Sequence, residues 1–134
     1  MEHVRPGDPK LARRLAAAVE GEVKFDPFTR GRYSTDASIY QIEPIGVVIP
    51  RTAADVAAAI EIAREEGVPV LPRGAGTSQC GQAVGRALVV DVSKHLRRIK
   101  SLDLDNPISD LSINNLALLF GRECHLLFLI LEIW

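Results

Sequence analysis

Apolar and polar positions alternate along the first hundred residues in a way that predicts discrete helices and strands. Leu11, Leu15 and Val19 recur every four residues and form one stripe, so Lys10 to Val19 is expected as a helix. Asp8 is placed to cap its free amides, Pro9 suits the first helical position, and Gly21 is placed to close the end. Phe25 to Glu43 shows no period and is expected as loop. Gly46-Val47-Val48-Ile49-Pro50 is a short β-branched run ended by proline, which predicts a buried strand.

Thr52 to Glu66 is the clearest helix. Thr52 and Asp55 have capping-box spacing, in which each side chain satisfies a free amide at the helix start. Val56, Ala59, Ile60 and Ala63 form its expected inner face, and Gly67 its left-handed stop. Val68 to Leu71 and Ala87 to Val92 are the next expected strands. Strand, helix and strand in this order predict a βαβ unit with parallel strands and a right-handed crossover. The expected fold class is therefore α+β (α/β): a small, mainly parallel sheet covered by the Thr52 helix and the Lys10 helix.

Composition adds bounds. The chain has 134 residues, 47% hydrophobic and 25% charged, which suits one modest globular domain. Sixteen basic residues against 17 acidic ones argue against nucleic acid or an acidic membrane as the main partner. Cys80 and Cys124 form neither a disulfide framework nor a zinc spacing. His3, His95 and His125 show no metal spacing either, so no metal is expected. The start of the chain lacks a signal-peptide apolar core, and the expected compartment is the cytoplasm.

The candidate chemistry lies between the second and third expected strands, from Pro72 to Gly85. Gly74, Gly76, Gly81 and Gly85 let the backbone take positive φ and let a ligand approach closely. Successive amides in such a turn form a nest for phosphate oxygens, with Thr77 and Ser78 as further donors and Arg73 as a charge. The pattern is neither the dinucleotide fingerprint nor the Walker loop. From the residues alone, a phosphate or nucleotide site and a plain glycine-rich hairpin both stand. Cys80 is expected to pack against a neighbouring strand rather than act as a reactive thiol. Asp91 either contacts a ligand or caps its strand. Glu61, Arg64, Glu65 and Glu66 are expected on the solvated helix face.

The order Pro44-x-x-Val47-Val48-x-Pro50-Arg51-Thr52, then Val56, then Val68-Pro69-Val70 leading into Pro72-Arg73-Gly74-Ala75-Gly76-Thr77-Ser78, resembles a known family. It is the p-cresol methylhydroxylase (PCMH) type of FAD-binding domain, shared with glycolate oxidase and D-lactate dehydrogenase and typified by vanillyl-alcohol oxidase. Leu88-Val89-Val90-Asp91-Val92-Ser93 and the upstream Tyr33-x-x-Asp36-x-Ser38-x-Tyr40 fit as well. The resemblance divides the chain into a lead-in (1–32), a partial FAD domain with its first βαβ part (33–102) and a non-matching tail (103–134). It implies that Arg73, Gly74, Ala75, Gly76, Thr77 and Ser78 hold the FAD pyrophosphate, with Gly81, Gln82 and Ala83 continuing the contact. Some members anchor flavin covalently through a histidine just after the loop glycines. Thr77 stands there, so the resemblance implies non-covalent FAD. It further implies an FAD-dependent oxidoreductase acting on a small-molecule 2-hydroxy acid or related alcohol. The alternative is a non-catalytic piece or nucleotide-binding module without turnover of its own, and no catalytic residue is assigned.

Asp103 to Asn115 is polar, and Leu116 to Trp134 is nearly all large and apolar, with Gly121-Arg122-Glu123-Cys124-His125 in its middle. Charge there disfavours a membrane span. The expectation is a truncated or frame-shifted end, able to drive self-association through 116–134.

Overall fold

In the computed structural model, residues 4–97 are described. They form a four-stranded mixed sheet and three helices, in the order α1 (Pro9–Ala18), β1 (Glu22–Lys24), α2 (Pro27–Arg32), β2 (Gly46–Ile49), α3 (Ala53–Glu65), β3 (Val70–Arg73) and β4 (Leu88–Asp91). Expectations about the segment beyond Arg97, including self-association through 116–134, lie outside the described residues. No helix among the described residues is long and apolar enough to cross a membrane.

The helices start as their caps predict. Asp8 accepts hydrogen bonds from the amides of Lys10 and Leu11 at 2.9 and 2.8 Å, with Pro9 at the first position of α1. Its end differs from expectation. Val19 leaves in extended conformation, and Gly21 is not among the glycines at positive φ. Gly21 serves a close approach instead: a Cβ there would lie 2.3 Å from the Ile49 carbonyl oxygen, where β1 meets β2. Gly67 does take the left-handed conformation, at φ +65°. Its amide donates to the Arg64 carbonyl and that of Val68 to the Ala63 carbonyl, which closes α3 in a Schellman arrangement. That cap consumes Val68, so β3 begins at Val70 and not at the expected Val68.

At the start of α3, half of the expected capping box forms. Thr52 accepts from the Asp55 amide at 3.1 Å. Asp55, however, does not reach back to Thr52. Its buried carboxylate accepts from the amides of Arg51 (2.8 Å) and Glu20 (3.0 Å), so it ties the end of α1 to the start of α3. Burial pushes this carboxyl up, but the Arg51, Glu20 and Thr52 bonds outweigh it and hold it below the usual carboxylate range.

The sheet order is β1-β2-β4-β3. The two strands joined by α3 run in the same direction, as expected, but β4 inserts between them and is parallel to both. β1 adds an antiparallel edge, with Val23 opposite Val48. Alternation along the strands sorts their side chains between two faces. Val48, Leu88 and Val90 join Leu11, Leu15, Val56, Ala59, Ile62 and Ala63 in the main core beneath α1 and α3. Ile62 takes a buried place on α3, whereas Ile60 is only partly buried. Val47, Ile49 and Val89 face the other way, where Tyr33 and Leu71 pack on them.

One element, α2, departs from the expected loop at Phe25–Glu43, and β1 lies just before that loop. Asp26 and Pro27 start α2 with the same cap-and-proline pair that starts α1. β1 has three residues, too few to show a period.

Candidate functional site

Strand register brings Arg73 and Asp91 side by side at the C-terminal ends of β3 and β4. They follow Leu71 and Val89 with the alternation of the strand, so both belong to the face that Tyr33 covers. Ligands of open α/β sheets gather at such C-terminal strand ends. The glycine loop leaves from this point.

Tyr33 links the two strand ends. Its hydroxyl donates to Asp91 Oδ2 at 2.5 Å, and its ring lies 5.1 Å from the Arg73 guanidinium carbon. Burial, then the hydrogen bond and charge of Asp91, push the phenol up to about 12, against the pull of Arg73 and Arg32. Asp91 also accepts from the Ser93 amide at 2.8 Å. Of its two open roles, the structure shows the cap: its carboxylate is buried and engaged. We expect Tyr33→Phe to cost about 1–3 kcal/mol at neutral pH, the worth of a hydrogen bond to a charged group. A phenol with a raised folded-state pKa stabilises below about 10 and loses that contribution as pH rises through about 12. Urea unfolding at neutral and strongly alkaline pH checks both parts: the variant starts lower and loses less on the alkaline side.

The loop itself has two halves with different hydrogen-bond status. Among the described residues, no acceptor meets the backbone amides of Gly74, Ala75, Gly76, Thr77 or Ser78. Gly76 turns the chain at φ +71°, and Ala75 and Thr77 are exposed. With Gln79, whose amide also meets no acceptor among the described residues, these make six successive donors without an acceptor at a strand end, an arrangement suited to an anion. The second half is closed on itself only in part, because the amide of Gly81 also meets no acceptor among the described residues. Ser78 Oγ bonds the Gln82 side chain and accepts from the amides of Cys80 and Gln82, both at 3.2 Å. The Ala83 amide donates to Asp36 Oδ2 at 3.3 Å. Gly81, at φ +79°, lies against the Tyr40 ring, 2.5 Å from where a Cβ would stand.

The expected site residues therefore divide. The amides of Gly74 to Ser78, and that of Gly81, have no acceptor among the described residues. Gln82 and Ala83 do not join them as amide donors, because their N–H groups are already engaged within the protein. Arg73 also differs from the expected phosphate ligand. Its Nη1 donates to the Ala83 carbonyl at 2.8 Å and its Nη2 to the Thr35 carbonyl at 2.9 Å. Cys80 is exposed and does not pack on a strand. On α3, Glu61 and Arg64 pair on the exposed face, as expected.

The upstream residues Tyr33, Thr35, Asp36 and Tyr40 meet the loop closely, which single-residue reasoning missed. Their spacing in Tyr33-x-x-Asp36-x-Ser38-x-Tyr40 was the available signal. Asp36 also accepts from the Ser38 amide at 2.9 Å and from its hydroxyl. Burial pushes Asp36 up, but the Ser38 and Ala83 bonds and the Arg73 charge hold it below the usual range.

Comparison with known proteins agrees with this geometry. Residues 44–108 match a family described as FAD binding domain. D-2-hydroxyglutarate dehydrogenase of Escherichia coli strain K12 is 48% identical over 69 residues, covering 49% of this chain and 7% of that protein. Glycolate oxidase subunit GlcD of Bacillus subtilis strain 168 is 36% identical over 92 residues, covering 66% of this chain and 20% of that one. The chain thus spans at most a fifth of the length of these two relatives. Among solved structures, BBE-like 1 of Physcomitrella patens superposes with a TM-score of 0.56 at 25% identity, covering 69% of this chain and 21% of that protein. The glycine cradle and its free amides fit a pyrophosphate. Residues 44–108 thus match an FAD binding domain, the described fold of mixed sheet and helices is shared with its structural relatives, and the cofactor these similarities support is FAD.

Proposed function

We propose that this chain supplies the pyrophosphate-binding part of an FAD-dependent oxidoreductase that acts on a 2-hydroxy acid. The observation that carries the proposal is the run of unsatisfied amides from Gly74 to Ser78 at the end of β3. Two relatives named for 2-hydroxy acids, D-2-hydroxyglutarate and glycolate, support the substrate class. FAD bound there would supply two-electron redox chemistry to the whole protein.

The chain's own residues do simpler work. The amides of Gly74, Ala75, Gly76, Thr77 and Ser78 donate to the phosphate oxygens, and glycine at position 76 keeps side-chain bulk out of the cradle. Thr77 offers no nucleophilic nitrogen, so FAD is held without a covalent bond. Turnover belongs to the whole protein, and this chain contributes binding.

Quenching of FAD fluorescence by the purified full chain tests the reading, with Ala75→Asp as the control. Ala75 is exposed, so the substitution places negative charge beside the free amides without entering the core. We expect saturable binding to the native sequence, weakened at least about tenfold in the variant. Bound flavin should leave on denaturation. No saturable quenching by the native chain, or equal affinity in both proteins, would contradict the assignment.

A further inference from the structure

Resting on the reading above, we propose that Arg73 is a positioning residue for the FAD pyrophosphate, acting from behind the loop and not as a direct phosphate ligand. Three observations carry this. First, the guanidinium spans both ends of the loop. It sits on the residue before Gly74, donates to the Ala83 carbonyl at 2.8 Å, and also holds the upstream Thr35 carbonyl at 2.9 Å. A planar fork can hold several carbonyls in fixed directions, which a lysine ammonium cannot reproduce.

Second, the cation lies directly under the turn of the nest. A Cβ built on Gly76 would stand 2.5 Å from Arg73 Nη2 and 2.9 Å from its guanidinium carbon. Third, the recorded partners of Arg73 are carbonyl oxygens and the face of Tyr33, none of them a carboxylate. Carbonyls solvate a cation without cancelling its charge. Asp36 is the carboxylate that feels the Arg73 charge on the loop side, and it is occupied by Ser38 and Ala83. The positive field of Arg73 therefore reaches an anion through the Gly76 turn.

The upstream segment is the anchor for this arrangement. Thr35 bridges to Gln41, and the Ile42 amide donates to the Ser34 carbonyl at 2.8 Å, which folds the segment back on itself. Tyr40 then covers Gly81 while Asp36 takes the Ala83 amide. The flavin site accordingly extends upstream of the matched family segment, to Tyr33.

Fork and charge separate experimentally. In the full chain, Arg73→Lys keeps the charge and loses the fork, whereas Arg73→Gln loses both the charge and most of the clamp. We expect FAD affinity to fall roughly tenfold in Arg73→Lys and further in Arg73→Gln. The distinguishing readout is salt. Affinity of the native chain and of Arg73→Lys should weaken as salt screens the charge, while Arg73→Gln should show a distinctly flatter dependence. A purely structural role would lower affinity and leave the salt dependence alone. Should Arg73→Gln fail to show the native circular dichroism spectrum, Arg73→Lys decides: native-like affinity would overturn the positioning role. Equal salt dependence in a folded Arg73→Gln would overturn the charge role. Native chain that binds no FAD removes the functional reading and this inference with it, whereas native binding unchanged in both variants removes only the inference.

Discussion

Gly76→Asp should abolish measurable FAD binding, with a loss of at least about 100-fold, roughly 2.7 kcal/mol. Three effects act together. Gly76 has φ +71°, which a residue with a Cβ adopts at a cost of about 1 kcal/mol, aspartate being among the more tolerant types. The new Cβ would also press on the Arg73 guanidinium, 2.5 Å from Nη2. That contact is with the end of a flexible side chain, so it yields, but it yields by breaking the clamp on Ala83 and Thr35. Finally, the added carboxylate neutralises Arg73 and repels phosphate from the amides it should meet. The ion pair formed with Arg73 offsets part of the strain, so the sheet should still fold. Thermal unfolding followed beside FAD titration separates the two effects: a modest shift in Tm with total loss of binding is expected. Gly85→Ala is the matched control. Its Cβ would meet only Leu71 Cδ2 at an ordinary 3.7 Å, and Gly85 is not at positive φ, so binding should persist.

The largest effect on stability is expected at Asp55. Asp55→Ala leaves the amides of Arg51 and Glu20 without their acceptor in a part-buried place, at about 1–3 kcal/mol each, or roughly 2–6 kcal/mol in all. The same carboxylate makes folding acid-sensitive. Its folded-state pKa is depressed, so its contribution is present above the ordinary carboxylate range and is lost as pH falls through the lower folded value. Urea unfolding at pH 7 and at progressively acidic pH should show the native chain losing stability that Asp55→Ala never had. Parallel curves, offset by a constant amount down to strong acid, would contradict this role. Asn at position 55 should recover part of the loss, since its carbonyl oxygen replaces one of two acceptor oxygens.

Much of the core was legible from local pattern because local forces decide it. The β-branched run at Val47–Ile49, the Thr52 cap, the Gly67 stop and the four-residue spacing of Leu11 and Leu15 each involve neighbours in sequence. β1 was not legible, since three residues show no period and Gly21 is needed for contact with Ile49 rather than for a helix stop. The α2 helix was legible in principle: Asp26-Pro27 repeats the Asp8-Pro9 signal, but only six residues follow it. The place of β4 between β2 and β3 is a long-range choice that no local pattern records.

The site divides along the same line. Glycine spacing left a phosphate site and a plain hairpin both open for Gly74 to Ser78, while the positive φ of Gly76 is a property of the loop itself. The family resemblance, not the spacing, named FAD. Partners outside the Gly74–Ser78 run, some of them far away in sequence, decide the rest. Arg73 reads as a free charge until Thr35 and Ala83 are seen to hold it, and the Ala83 amide reads as a free donor until Asp36 is seen to take it. Cys80 lies in the loop and is exposed.

The most direct test of the central claim follows individual amides in nitrogen-15 correlation spectra of the full chain during titration with FAD. Resonances of Gly74, Ala75, Gly76, Thr77 and Ser78 should shift most, in proportion to saturation, while those of Gln82 and Ala83 move little because they keep their partners within the protein. ADP, which carries the same pyrophosphate, should move the same five. Shifts centred on Gln82 and Ala83, or none in the Gly74–Ser78 run at saturating FAD, would contradict the account.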